Sequence, residues 1–140
     1  MMKNRLIASK IGYFIIPILL LYALYVQFHG DYSPGGGFQA GVLLASGLIL
    51  YEIIHGMDEL LKIISIKTIQ KLSAIGVLLY FIIGLIPIFL NKEFLNYYAY
   101  SDSKLLAQHI GIFLIELGVG ITVFSSILLI YISFSKFKVN

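Results

Sequence analysis

Two pairs of ionisable residues lie within long apolar stretches of the sequence, where a charge is costly and is therefore a candidate for function. Glu116 follows His109 by seven residues, which places the two side chains near one face of a helix. Glu52 precedes His55 by three residues, near the end of another apolar run. Both pairs are candidates for a path that carries protons or cations. The alternatives are that Glu116 is neutral or paired and serves assembly alone, and that Glu52 and His55 simply reach water.

A polar, glycine-rich break interrupts the apolar sequence just before the second apolar run. Proline disfavours helix in the residue before it, and glycines allow another backbone to approach closely. The helix that follows must begin with N–H groups that lack intrahelical partners, and these groups point back at the break. The break therefore predicts a polar site at a membrane boundary. Its residues are His29, Gly30, Asp31, Pro34, Gly35, Gly36, Gly37 and Phe38.

The elements that must position these residues follow from composition. The 140-residue chain is 59% hydrophobic, and its mean hydropathy is +0.94. Four segments are long and apolar enough to cross a bilayer, at about residues 6–28, 38–55, 72–90 and 105–134. We therefore predict an all-α membrane protein with four transmembrane helices in one domain over residues 1–140. Basic residues concentrate at both termini and between the second and third segments, so both termini are predicted to be cytoplasmic.

Several functions are excluded or disfavoured. The chain has no cysteine, which excludes disulfides and thiolate metal sites. The three histidines do not have the spacing of a metal site, and no catalytic or nucleotide-binding motif is present, so we expect neither an enzyme nor a bound cofactor. The net charge of +3 comes from residues at the ends of the apolar segments. It therefore indicates membrane orientation and contact with lipid, and not nucleic-acid binding.

Small residues recur every four positions in two of the predicted helices, a pattern that allows helices to pack closely. One stripe consists of Gly37, Gly41 and Ala45, and the other of Gly118, Thr122 and Ser126. The sequence leaves open whether these stripes join helices within the chain or join the chain to a partner.

The break resembles the signature of the MnhB/MrpB family, which are small membrane subunits of the multisubunit (Mrp/Mnh-type) Na⁺/H⁺ antiporter. The resemblance rests on His29-Gly30, three intervening residues, and then Pro34-Gly35-Gly36-Gly37-Phe38-Gln39-Ala40-Gly41. Glu116, followed by Leu117-Gly118-Val119, is similar to the family's acidic-Leu/Val-Gly-Val pattern. Asp31 departs from the histidine or asparagine that is common near this position, which changes the local charge.

The resemblance implies a small integral subunit of a large complex in the bacterial inner membrane. Its partners would be other integral antiporter subunits, including large ones related to those of respiratory complex I. Na⁺ and H⁺ would be transported ions and not bound cofactors. Two alternatives remain open: the equivalent subunit of a membrane-bound hydrogenase, and a non-conducting scaffold that seats partner subunits.

Overall fold

The computed structural model describes residues 2–30, 34–101 and 103–137, and within these ranges the chain is helical and contains no strand. The described residues form five α-helices: α1 Met2–Phe28, α2 Gly37–His55, α3 Met57–Ile63, α4 Ile66–Phe89 and α5 Lys104–Phe137. A short 3₁₀ turn, Tyr97–Ala99, precedes α5. Four of the helices contain segments long and apolar enough to cross a membrane: Ser9–Phe28, Gly37–His55, Ile66–Phe89 and Lys104–Ser135. The predicted all-α class with four long apolar helices is confirmed.

The distribution of side-chain sizes is that of a protein surrounded by lipid. Large apolar side chains such as Phe14, Phe81 and Phe134 point outward and are mostly exposed. The contacts between helices instead contain small residues, and Ala40 and Ala45 are fully buried. In lipid the hydrophobic effect does not draw helices together, so close backbone packing through small residues takes its place.

The four long helices pack in the order α1, α2, α5, α4, so α2 and α5 form the centre. These two helices run parallel. Gly37 lies against Glu116 and Gly41 against Gly120, while Glu52 is hydrogen-bonded to Tyr131. The two residues of each pair are separated by 79 positions, so one register holds along the whole contact between α2 and α5. We call the Gly37 end of this contact the glycine end, and the opposite end the Glu52 end.

The third apolar helix begins earlier than predicted. The sequence indicated a start at about residue 72, whereas α4 begins at Ile66. Ser65 is the cause, because its hydroxyl accepts a hydrogen bond of 3.2 Å from the backbone N–H of Thr68 and so caps the first turn. The helix also continues past Pro87 to Phe89. Both α1 and α5 extend a few residues beyond their predicted apolar limits at the ends of the chain.

The segment between α2 and α4 forms the short helix α3, whose apolar face is buried. Leu60 is fully buried in a cluster with Ile69, Leu128 and Ile132, so α3 covers one end of α4 and α5. The opposite face is exposed, and there Lys62 forms an ion pair with Glu59 at 2.5 Å. The hydrogen bond and charge of Glu59 raise the pKa of Lys62 above its ordinary value.

The loop that follows α4 folds back over the bundle. Tyr100 donates a hydrogen bond to the carbonyl oxygen of Ile83, and Tyr97 packs against Gly111. Burial raises the pKa of Tyr97 and of Tyr100 above the ordinary tyrosine value. Tyr98 remains nearly half exposed and accepts a hydrogen bond of 3.1 Å from Gln108. Tyr97 and Tyr100 thus close this end of the bundle.

Candidate functional site

The carboxylate of Glu116 is enclosed by glycines of the break. A Cβ atom built on Gly36 would lie 2.7 Å from Oε1 of Glu116, and one built on Gly30 would collide with Oε2. Gly37 is closer still to the helix itself, because its Cβ would overlap the backbone carbonyl of Glu116. Gly30 and Gly36 therefore leave the space that the Glu116 side chain occupies, and Gly37 allows the backbones of α2 and α5 to approach.

The enclosure is open on one side. An open cleft of about 380 Å³ lies beside the carboxylate, and its walls are Gly35, Gly36, Gly37, Phe38, Gln39, Glu116 and Val119. Phe38 at the rim is mostly exposed, whereas Glu116 is only partly exposed. The cleft is large enough for several water molecules, which occupy about 30 Å³ each in the liquid. The carboxylate can therefore be reached by water or a small cation without movement of a helix.

The start of α2 contributes a favourable field to this site. The N-cap residue, Gly36, has no side chain of its own to cap the helix, and the N–H group of Ala40 bonds back to the carbonyl of Gly36 at 3.0 Å. The N–H groups of the preceding turn have no carbonyl partner within the helix, and the helix dipole adds partial positive charge there. The first turn of α2 contains no acidic residue. The carboxylate of Glu116 on α5 lies beside this helix N-terminus, where a negative charge stabilises the helix.

The other residues of the break have distinct surroundings. Gly35 has a φ angle of +149°, which a residue with a side chain rarely adopts, so this glycine allows the chain to enter α2. The His29 ring stacks on the ring of Tyr25 at 4.2 Å between centroids. Pro34 is exposed. Asp31 lies outside the described residues. The break thus has two roles: Gly35 supplies the backbone conformation that leads into α2, and Gly30 and Gly36 make space for the Glu116 carboxylate.

His109 lies on α5 two helical turns from Glu116, about 10 Å along the axis at 1.5 Å per residue. The imidazole is partly exposed. Between the two residues, the Phe113 ring packs against Phe28 with centroids 5.9 Å apart. The structure therefore places both residues of the predicted pair at the same end of α5, with an aromatic contact between them.

Glu52 and His55 have different neighbours. Glu52 accepts a hydrogen bond from the hydroxyl of Tyr131 on α5. The exposed His55 ring instead lies 4.5 Å from the ring of Tyr51 and borders a mainly apolar cleft of about 520 Å³ between α1 and α2. Sequence reasoning missed Tyr131, because only the packing of α2 against α5 brings a residue 79 positions away to Glu52.

Sequence reasoning also missed Gln27, although an amide within an apolar helix was a visible signal. Gln27 is 7% exposed, and its Oε1 atom would lie 2.5 Å from a Cβ built on Gly120. The same Cβ would lie 3.2 Å from the carbonyl oxygen of Gly37. Gln27 thus reaches the contact between α2 and α5 one helical turn from Glu116.

Both stripes of small residues lie at contacts between helices of this chain. Gly41 on α2 packs against the carbonyl of Gly120 on α5. On its other face α5 packs against α4, where Gly118 approaches Gly76 and the hydroxyl of Ser126 lies 3.5 Å from that of Ser73. Thr122 also lies at this contact, and its hydroxyl donates to the carbonyl of Gly118 at 2.8 Å. Internal packing accounts for the positions of both stripes.

Fold and site together define a small multi-helix membrane protein with a carboxylate enclosed by glycines at one end of its two central helices. The chain belongs to the family of domains related to the MnhB subunit of Na⁺/H⁺ antiporter, whose family model matches residues 7–129. This confirms the resemblance seen in the break.

Similar proteins cover nearly the whole chain. A protein of Staphylococcus haemolyticus, "Putative antiporter subunit mnhB2", is 32% identical over 141 residues, which is 99% of either chain. Proteins of the same name from Staphylococcus epidermidis and from Staphylococcus aureus strain Newman are 31% and 33% identical, respectively, over 138 residues. Each of these two alignments covers 96% of this chain and 97% of the relative.

Proposed function

We propose that this chain is an integral membrane subunit of a multisubunit Na⁺/H⁺ antiporter and that Glu116 takes part in its ion exchange. The family and the full-length similarity to antiporter subunits support the first part. The single observation that carries the second part is the contact of the Glu116 carboxylate with Gly30 and Gly36 beside an open cleft.

A carboxylate in such a cleft is suited to exchange one cation for another. It binds either a proton or Na⁺, and the two occupants exclude each other because they compete for the same oxygen atoms. The two glycines at the carboxylate, Gly30 and Gly36, leave its oxygens accessible, whereas larger side chains would occupy the space around them. Mutually exclusive binding at one site is the minimum requirement for coupling proton movement to sodium movement.

The proposed orientation puts both termini in the cytoplasm of a bacterial cell and the glycine end at the outer side of the inner membrane. The support is the excess of lysine and arginine near the termini and near α3. Glu116 and His109 would then meet ions from outside, and Glu52 and His55 would lie at the cytoplasmic side. Between these ends lie the close contact of Gly41 with Gly120 and the buried amide of Gln27, and none of these three residues is ionisable.

Ions would therefore complete their passage through other integral subunits of the complex, including large subunits related to those of respiratory complex I. The mostly exposed apolar side chains of α1 and α4 provide surfaces for such neighbours and for lipid. In this arrangement the chain is a transporter subunit, neither an enzyme nor an antiporter by itself.

The decisive experiment is substitution of Glu116 within the complete complex. The whole gene set would be expressed in a host that lacks its own antiporters, and Na⁺/H⁺ exchange measured in everted vesicles. Glu116→Gln retains the shape and removes the charge, so we expect normal assembly on native gels and loss of exchange. Glu116→Asp retains the charge one methylene further back, so part of the exchange should survive.

Ser46→Ala is the matched control, because Ser46 is an exposed hydroxyl that bonds only to the carbonyl of Val42 in its own helix, at 2.8 Å. It should leave both assembly and exchange unchanged. Normal exchange by assembled Glu116→Gln would instead make the carboxylate structural, and the chain a scaffold for its partners.

A further inference from the structure

Gln27 is the one buried side chain of the described residues with an unpartnered polar atom. Its Nε2 has no hydrogen-bond partner there, although the side chain is 7% exposed. Buried N–H groups are almost always hydrogen-bonded to protein or to ordered water. An unpaired group would lose its hydrogen bonds to solvent on burial and gain none in return. A helix in lipid gives such a group no other source of hydrogen bonds. The amide therefore has a partner that is not a side chain of these residues.

The position of the amide connects it to the Glu116 site. Gly30, three residues after Gln27, contacts the carboxylate of Glu116, while Gln27 itself contacts Gly120, one turn further along α5. Gly37 lies between them, since its backbone meets both Glu116 and Gly120. Gln27 thus lies one helical turn deeper than Glu116, on the same side of α5.

The chemistry of Nε2 restricts what the partner is. An amide NH₂ group only donates hydrogen bonds, so its partner is an acceptor and not a metal cation. A buried water molecule needs two to four polar partners. Besides the Gln27 amide, the carbonyl of Gly37 lies at this contact with Gly120, and the carboxylate of Glu116 lies one helical turn away along α5.

We propose that Gln27 holds a water molecule on the deep side of Glu116 and that Glu116 exchanges its proton through this water. The inference rests on the proposed function of Glu116. The water accepts a hydrogen bond from Nε2 and donates one to the carboxylate. For proton release, the O–H bond of Glu116 breaks and a new O–H bond forms on the water, which passes one of its protons to water in the cleft. Gln27 is a positioning residue, because it acts through the water.

The test compares two variants of Gln27 in the complete complex. Gln27→Met retains the length and removes the amide, and an apolar side chain suits this buried position. We therefore expect normal amounts of complex and an exchange rate per complex that is at least about tenfold lower, a modest fraction of what general acid–base groups contribute. Half-saturation with Na⁺ should not change, because the water serves the proton. The ratio of rates in H₂O and D₂O should rise. Gln27→Asn retains the amide and should restore part of the rate.

A purely structural role predicts the opposite pattern: less assembled complex with an unchanged rate and isotope ratio in what remains. A wild-type rate for Gln27→Met in the assembled complex would overturn the proposal. Ser46→Ala again serves as the control for loss of a polar group from a membrane helix.

A structure of the intact complex at a resolution that shows waters provides the second measurement. Water within hydrogen-bonding distance of both Nε2 and the Glu116 carboxylate is the expected result. A protein group bonded to Nε2, from a neighbouring protein of the complex or from Asp31, would overturn the proposal even if Gln27→Met failed to assemble. Normal exchange by Glu116→Gln would defeat the proposed function separately, and with it the proton relay, whether or not the water is found.

Discussion

Replacing Gly36 and Gly37 one at a time separates helix packing from the placement of the carboxylate. A Cβ at Gly37 would lie 2.7 Å from the carbonyl carbon and 3.0 Å from the Cα of Glu116. Ordinary carbon contacts are about 3.5–4.0 Å, and the carbonyl oxygen of Glu116 is nearer still, so α2 and α5 would have to separate by roughly 1 Å or more at the glycine end. Neither backbone can rotate away. Overpacking of this kind costs about 1–3 kcal/mol, which lowers the ratio of folded to unfolded protein by a factor of about 5 to about 150.

Gly36→Ala meets a different obstacle. Its Cβ would lie 2.7 Å from Oε1 and 3.2 Å from the carboxyl carbon of Glu116, which is the far end of a flexible side chain. We expect that carboxylate to turn away while the helices keep their positions. Gly37→Ala should therefore reduce the amount and the thermal stability of the complex, whereas Gly36→Ala should assemble normally and lose exchange.

The assays are native gels and thermal unfolding of the solubilised complex, together with exchange in everted vesicles. Gly47→Ala is the control for a glycine in the same helix, because its Cβ would meet only side-chain atoms of α1, the nearest being a Leu20 methyl at 3.0 Å. Equal losses of assembly for Gly36→Ala and Gly37→Ala would refute the distinction between a rigid and a flexible neighbour.

Two further predictions concern the rest of the chain. Tyr131→Phe leaves Glu52 without its phenol donor and should destabilise the protein by about 1 kcal/mol in thermal unfolding. Tyr51→Phe, which loses a hydroxyl at the same end, should not, and equal effects would refute a specific bond. For orientation, single cysteines can be introduced without background because the chain has none. A membrane-impermeant reagent applied to intact cells should label Glu93→Cys and spare Asp58→Cys; the reverse result would invert the proposed topology.

Much of the molecule could be predicted from sequence because a bilayer imposes simple rules. A helix must run about 20 apolar residues to cross it, and irregular backbone is excluded from lipid, so the four long helices follow from hydropathy. Local chemistry set some boundaries more finely than hydropathy could. Ser65 is the example: its cap moved the start of α4 to Ile66, in polar sequence that an apolar window leaves out.

The sequence also identified the two halves of the candidate site, but as unrelated features. The glycines of the break and Glu116 each stood out by residue type, because glycine lacks a Cβ and a carboxylate is costly in lipid. Their spacing along the chain carried no sign that they touch. Likewise, sequence treats Gly36 and Gly37 as equivalent neighbours, whereas one faces a side chain and the other a backbone.

The sequence by itself therefore determined the class of protein, its helices, its family and the residue types at the site. Only the tertiary structure decided that α2 and α5 lie parallel in a single register, which brings Gly37 to Glu116 and Glu52 to Tyr131. The physical reason is that hydropathy and propensity act on neighbours along the chain. Helix register instead depends on how small residues fit across a contact between segments 79 residues apart, and that fit exists only after the helices have packed.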